Sequence, residues 1–343
     1  MAATTPAQTM KAWICCGYGG PEVLALEDRP KPGPKDNDVL IRIRATTVSS
    51  GDVRVRTQKL PHGFGLIGRL VFGFFRPRQT ILGTELAGTI EAVGKDVTDY
   101  SVGDEVIAFP GGAMGCHAEY RAMAADKPIA RKPANLSFEE AASLSFGGTT
   151  ALHFLRKADL KSGERILVIG ASGAVGSSMV QLAREKGAVV TGVTSATNID
   201  LVRSLAHSVI DYKRQDFTTV GETFDIIADT VGTSTFKKCL PLLNEKGRYL
   251  AVAGDLRAML ARSVGTKRSI AGPAAERPED VRELSKLAEE GRLKPVIDGV
   301  YRFGQMAEAH ARAETGRKRG CVVVSLIEPR GTRGEWLTEP CPG

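Results

Sequence analysis

Residues 165 to 183 read Arg-Ile-Leu-Val-Ile-Gly-Ala-Ser-Gly-Ala-Val-Gly-Ser-Ser-Met-Val-Gln-Leu-Ala, and this stretch decides the fold. A short apolar strand ends at Ile169 and a glycine turn follows at once. Val175, Met179, Leu182 and Ala183 then recur at i, i+4, i+7 and i+8, one face of a helix. Gly170 precedes Ala171-x-Gly173-x-x-Gly176, which is G-x-G-x-x-G with alanine in the first place. Gly173 lets the backbone approach a pyrophosphate, and Gly176 lets the helix pack tightly on the strand. The helix start offers free N–H groups and a positive dipole end to the phosphates. Gly170, Ala171, Ser172, Gly173, Ala174, Val175 and Gly176 are therefore the expected dinucleotide-binding turn.

The chain keeps this texture downstream. Strands are expected at residues 189–194, 209–212, 224–229, 248–252 and 269–271, with a short helix near 201–205 and another at 279–290. Alternation of this kind implies an α/β fold with a doubly wound parallel sheet. Upstream the chain is rich in Gly and Pro. Short β-type runs at 11–16, 39–47, 86–93, 105–109 and 118–123 point to a compact β-rich unit. A final strand is expected at 322–326 and a disordered tail at 328–343, where prolines and glycines replace any periodicity.

Composition narrows the function classes. The chain has 343 residues, 42% hydrophobic and 25% charged, with a net charge of +7. Most of the excess lies between Val53 and Thr84, where Arg54, Arg56, Lys59, Arg69, Arg76 and Arg78 stand without an acidic residue. The near-balance elsewhere argues against a nucleic-acid-binding track. No run of about 18 apolar residues marks a transmembrane helix, and no secretory signal opens the chain. Cys15, Cys16, Cys116, Cys239, Cys321 and Cys341 are scattered, which reads as reduced thiols in a cytoplasmic protein.

The cofactor follows from the second strand end. An NAD-binding site is expected to carry a carboxylate about 20 residues past the glycine turn. Here Val193-Thr-Ser-Ala-Thr-Asn198 holds none, and Asp200 fits the first turn of the next helix instead. Ser195, with Tyr212 and Lys213 from the neighbouring strand end, is expected to face a 2′-phosphate. NADP(H) is thus expected, with NAD(H) as the alternative. Thr230 and Gly254 fall at carboxyl ends of later strands, where open α/β sheets bind ligands. Gly272, after the last such strand, is expected to line the carboxamide pocket.

Several ordered blocks carry a family resemblance. They are Tyr18-Gly-Gly-Pro-Glu-Val-Leu24, Gly83-Thr-Glu-Leu-Ala-Gly88 with Thr89-Ile-Glu-Ala-Val-Gly94, Val102-Gly-Asp-Glu-Val106 and Ala118-Glu-Tyr120. Val209-Ile-Asp-Tyr212, Asp229-Thr-Val-Gly232 and Lys294-Pro-Val-Ile297 continue the series. From about Lys11 to Leu326 the chain resembles the medium-chain dehydrogenase/reductase superfamily, in its zinc-free quinone oxidoreductase-like branch. The resemblance implies a GroES-like catalytic domain at 1–147, a Rossmann NADP-binding domain inserted at 148–272, and a return to the catalytic domain at 273–327. It also implies a nicotinamide in the cleft between them, and a homodimer.

Relatives with a catalytic zinc hold it with Cys, His and Cys or a carboxylate. By resemblance those positions are Ser49, Thr84 and Phe146 here, none of which is a competent zinc ligand. The four-Cys structural zinc lobe is also missing, because residues 95–130 hold only Cys116. A new site at Cys116 and His117 is disfavoured, since neighbours on a strand point to opposite faces. His62, His153, His207 and His310 are too dispersed to form a cluster. Without a Lewis acid the accessible reaction is hydride delivery to a small hydrophobic acceptor that is already electrophilic, a quinone or an α,β-unsaturated carbonyl. The competing expectations are a cofactor-binding sensor or scaffold without turnover, and an ordinary alcohol dehydrogenase.

The resemblance places Ser49 at the family's usual Asn near the nicotinamide. It places Thr150 against the nicotinamide face, with Thr149 as rival. These two positions, Ser49 and Thr150, are the catalytic candidates. Ser49 reads equally as a turn serine, and Thr149 and Thr150 as the start of a helix at 148–150. Tyr18 is a proton-donor candidate by resemblance alone, and Glu85 is expected to be a buried structural carboxylate. Residues 61–78, Pro-His-Gly-Phe-Gly-Leu-Ile-Gly-Arg-Leu-Val-Phe-Gly-Phe-Phe-Arg-Pro-Arg, combine four Phe with Arg69, Arg76 and Arg78. They read as an apolar lid, as a patch making weak contact with an anionic membrane surface, or as a loop that folds its Phe side chains into the core.

Overall fold

The computed structural model describes residues 8–327 and residue 341. The tail expected at 328–343 lies, Cys341 apart, outside the described residues. Six strands run parallel, Arg165–Ile169, Val189–Thr194, Ser208–Asp211, Phe224–Asp229, Leu243–Ala251 and Arg268–Ala271. Counted in chain order they stand 3-2-1-4-5-6. The order reverses between the first strand and the fourth, which opens a crevice at their carboxyl ends. Period-two alternation covers both faces of the sheet. Ile166 and Val168 pack into the layer with Val180 and Leu284, whereas Leu167 and Ile169 pack with Phe217 and Phe236.

The second sheet is largely antiparallel. Its order is Ile297–Arg302, Cys321–Ser325, Asp38–Val48, Leu86–Val93, Glu105–Ala108 and Ile129–Arg131, with Tyr120–Ala124 also pairing to Asp38–Val48. The first two of these strands follow the parallel sheet in sequence. The chain therefore leaves the β-rich layer, builds the Rossmann sheet, and returns to pair Cys321–Ser325 against Asp38–Val48. The expected fold class, a doubly wound parallel sheet inserted in a GroES-like β-rich domain, is what the strands form.

Helix Ser145–Lys157 joins the two layers. Position 148 is in its first turn rather than at its start, and the expected junction at 147/148 falls inside it. A Cβ added at Gly147 would lie 2.4 Å from the Ala174 carbonyl oxygen, so this helix packs hard on Ala174–Glu185. Gly148 abuts Leu284 of helix Pro278–Glu289 in the same way.

Three strands escape a periodicity reading. Leu24–Pro30 turns charged after three residues, Ile129–Arg131 is three residues long, and Ile297–Arg302 is interrupted by Asp298 and Gly299. Each is held by its neighbour's ladder rather than by its own pattern.

The reading of all six cysteines as reduced thiols is corrected. Cys16 and Cys341 form a disulfide across 325 residues of sequence, while Cys15, Cys116, Cys239 and Cys321 are buried thiols. No sequence spacing signals the bond, because only folding brings Cys341 to the end of the first strand, Thr9–Cys15. His310 packs edge-on against His117, ring centroids 5.3 Å apart, and both are buried.

Candidate active site

The glycine turn is built by close approaches. Gly170 takes φ +82°, a left-handed conformation suited to glycine, as the first strand ends. A Cβ at Gly176 would sit 2.1 Å from the Gly170 carbonyl oxygen, so the helix meets the strand only with glycine there. Gly173 differs. It caps helix Ala174–Glu185, and its nearest neighbour to an added Cβ is the Gly170 oxygen at 3.5 Å. The protein's own packing leaves that side of Gly173 open, as a backbone that must admit a pyrophosphate requires. The residues present thus fit a dinucleotide.

The other expected contacts share this edge of the sheet. Ser195 follows the second strand, its hydroxyl 3.0 Å from that of Thr197. The Tyr212 N–H donates to the Thr194 carbonyl at 3.1 Å, which places Tyr212 and Lys213 beside Ser195. Asp211 Oδ1 accepts from the Lys213 N–H and fixes that corner. Asp200 lies in the first turn of helix Ile199–Leu205 and pairs with Arg203. Thr230 Oγ1 donates to the Ile169 carbonyl at 2.9 Å, so the fourth strand's end is tied to the first's. Gly254 forms a tight turn after the fifth strand, its N–H donating to the Ala251 carbonyl, and Gly272 follows the sixth at φ +115°.

Sequence reasoning missed the groups that hold these loops. Asn198 and Thr194 both donate to Ser172 Oγ, at 3.1 and 3.0 Å, and lock the turn to the second strand end. The Gly320 N–H donates to the Ser172 carbonyl, which pins the returning segment under the turn. Buried Asp229 accepts from the N–H groups of Val231, Gly232 and Ser234 and from the Tyr249 hydroxyl. A carboxylate that closes a strand and is followed by Thr-Val-Gly was the available signal for this anchor.

In the β-rich layer, Ser49 caps helix Ser50–Thr57. Its hydroxyl donates to Asp52 Oδ2 at 2.6 Å and accepts from the Asp52 N–H, a closed capping box. Thr84 Oγ1 lies 3.5 Å from Ser49 Oγ. A Cβ added at Gly51 would be 3.2 Å from Ser49 Oγ and 3.6 Å from the Phe146 ring. Ser49, Thr84 and Phe146 therefore gather at one point, carrying two hydroxyls and a phenyl ring. Thr150 lies one helical turn beyond Phe146 and donates to its carbonyl at 2.7 Å; Thr149 is buried and donates to Ser145. Among the described residues no group of three metal-binding side chains includes any of these, or Cys116, or His117. Tyr18 donates to the Gly73 carbonyl at 2.8 Å.

Glu85 is buried beneath this point. It accepts from Thr47 Oγ1 at 2.5 Å and from the Phe146 N–H at 2.6 Å. Burial pushes its carboxyl up to about 7 against the pull of those two donors. Its expected structural role is what the contacts describe, since it ties Asp38–Val48 to the start of helix Ser145–Lys157. Because that helix packs on Ala174–Glu185, it links the Ser49–Thr84–Phe146 point to the helix that follows the phosphate turn.

Residues 35–134 match the alcohol dehydrogenase GroES-like domain, and 206–324 match a domain described as zinc-binding dehydrogenase. The chain is 34% identical to a 2-methylene-furan-3-one reductase of Solanum lycopersicum, over 93% of this chain and 79% of that one. The chain belongs to the medium-chain dehydrogenase/reductase superfamily, in its quinone oxidoreductase-like branch. It is also 31% identical to a chloroplastic NADPH-dependent alkenal/one oxidoreductase of Arabidopsis thaliana, over 93% of this chain and 80% of that one. The structure of a quinone oxidoreductase from Coxiella burnetii superposes with a TM-score of 0.80 at 29% identity, covering 93% of this chain and all of that one. The protein is thus an oxidoreductase of the nicotinamide-dependent kind. No helix among the described residues is long and apolar enough to cross a membrane.

Proposed function

We propose that this protein uses NADPH, without zinc, to reduce quinones or α,β-unsaturated carbonyl compounds. The observation that carries the proposal is the convergence of Ser49, Thr84 and Phe146, which offers hydroxyls and a ring where a metal site needs thiolate, imidazole or carboxylate. The names of the tomato and Arabidopsis relatives support the same acceptor class. When bound, the nicotinamide supplies the hydride.

The protein's own groups position and polarise. Ser49 spends its hydrogen on Asp52, and Thr150 spends its own on the Phe146 carbonyl. Thr150 Oγ1 keeps lone pairs with which to accept from a ribose hydroxyl or a carboxamide. Thr84 has the hydroxyl least committed internally, at 3.5 Å from its partner, and is the donor for oxygen charge developing on the acceptor. NADPH is favoured over NADH because residues 195–198 carry no carboxylate to repel a 2′-phosphate, and Lys213 stands beside Ser195 in no ion pair among the described residues. The edge strand Arg268–Ala271 has one side open, a place for two copies to pair.

The test is NADPH and NADH oxidation over a panel of quinones, enals, ketones and alcohols, on protein of measured metal content. Quinone or enal turnover with NADPH, unchanged by a chelator, is the expected result. Stoichiometric zinc with chelator-sensitive alcohol oxidation overturns it. Tight NADPH binding with no turnover on any acceptor means a sensor or scaffold instead.

A further inference from the structure

Helix Gly65–Phe72 wears its hydrophobic face outward. Gly68 is buried against Leu60, and Phe72 is half-buried. Leu66, Ile67, Leu70 and Val71, which fall on the opposite side at i, i+1, i+4 and i+5, are 70%, 46%, 53% and 57% exposed. The chain then turns at Gly73 and presents Phe74 and Phe75, the latter 93% exposed. The reading in which these Phe side chains join the core is thereby corrected for Phe74 and Phe75. A contiguous exposed patch of this kind marks a contact surface.

Charge decides what the surface contacts. Arg69, Arg76 and Arg78 are exposed among the apolar side chains and form no ion pair among the described residues. The other two basic residues that lie nearest in sequence, Arg56 and Lys59, are already paired with Glu314. With no acidic residue between Val53 and Thr84, two copies meeting through this face would set arginine against arginine. Apolar side chains interleaved with unpaired arginines match a bilayer interface, where the rings enter the acyl boundary and the guanidinium groups reach lipid phosphates. Phe74, Phe75, Arg76 and Arg78 also line an open depression of about 630 Å³, with room for a lipid headgroup.

We propose that residues 65–78 form a peripheral docking surface for an anionic lipid bilayer. The surface does not depend on which acceptor the enzyme reduces. The segment just before it touches the Rossmann side, where the Leu256 N–H donates to the His62 carbonyl at 3.2 Å.

The test is flotation of the full-length protein with phosphatidylcholine vesicles, with and without about a third phosphatidylglycerol, at low and high salt. Binding is expected to the anionic vesicles, to weaken with salt, and to fall on the order of a hundredfold in R69Q/R76Q/R78Q, at about fivefold for each arginine. Phe75→Ser, at so exposed a position, should weaken vesicle binding while NADPH affinity and melting temperature stay unchanged. No flotation at low salt, or equal flotation on neutral vesicles, overturns the proposal. So does a dimer in solution that Phe75→Ser dissociates, which would give the face to a second copy. Capture of an acidic protein without any vesicle binding overturns it equally.

Discussion

Gly173 and Gly176 look alike in the sequence, but they do different work. Gly176 is required by the fold, whereas Gly173 leaves open space that only a ligand would use. Gly173→Val is therefore expected to fold with an unchanged melting temperature and to lose NADPH binding in a fluorescence titration. Unaltered affinity would remove the phosphate turn from the account. Thr84→Val is expected to lower kcat by about ten- to a hundredfold while leaving the NADPH Kd as it was, the signature of a donor used in the transition state. Glu85 makes a prediction about pH. Its carboxyl is raised to about 7 from an ordinary 4.5, so between those values the folded state holds a proton that the unfolded chain has released. Stability from this group is complete below about 4.5 and is lost as pH rises through about 7. Glu85→Gln, neutral throughout, should flatten the fall in urea midpoint over that window relative to the parent protein. Identical slopes would show that the carboxyl titrates normally.

At the scale of elements, the active cleft depends on how closely helix Ser145–Lys157 lies on helix Ala174–Glu185. Gly147 sets that distance, since a Cβ there meets the Ala174 backbone oxygen, which has no side-chain freedom to yield. Gly147→Ala should cost about 1–3 kcal/mol, read as a lower melting temperature. It should also weaken NADPH binding, because the displaced helix carries the phosphate turn. A stable variant with unchanged affinity would mean the helices are positioned by other contacts. Strand Arg165–Ile169 and its helix were legible because both periodicities agree with burial on both faces of a sheet. Helix Gly65–Phe72 was not, because its apolar face points to solvent and its sequence reads the same as a buried segment.

At the scale of the whole molecule, the Cys16–Cys341 bond joins the two ends of the described chain. Under denaturing, non-reducing conditions, alkylation should label four thiols, and six after reduction, counted by mass. Six without reductant would return all the cysteines to the thiol state. The glycine turn and the strand–helix alternation determined the Rossmann layer from sequence alone, since both rest on local spacing, whereas the GroES-like layer was legible only through the family resemblance that the ordered blocks carry. Which residues face one another was decided only by tertiary structure. Ser49 and Thr84 meet because strands Asp38–Val48 and Leu86–Val93 pair antiparallel, and Cys16 and Cys341 meet across 325 residues; neither pairing is written in any local spacing. The outward face of residues 65–78 was settled the same way, because periodicity says which side chains share a side of a helix and only packing says which side meets water.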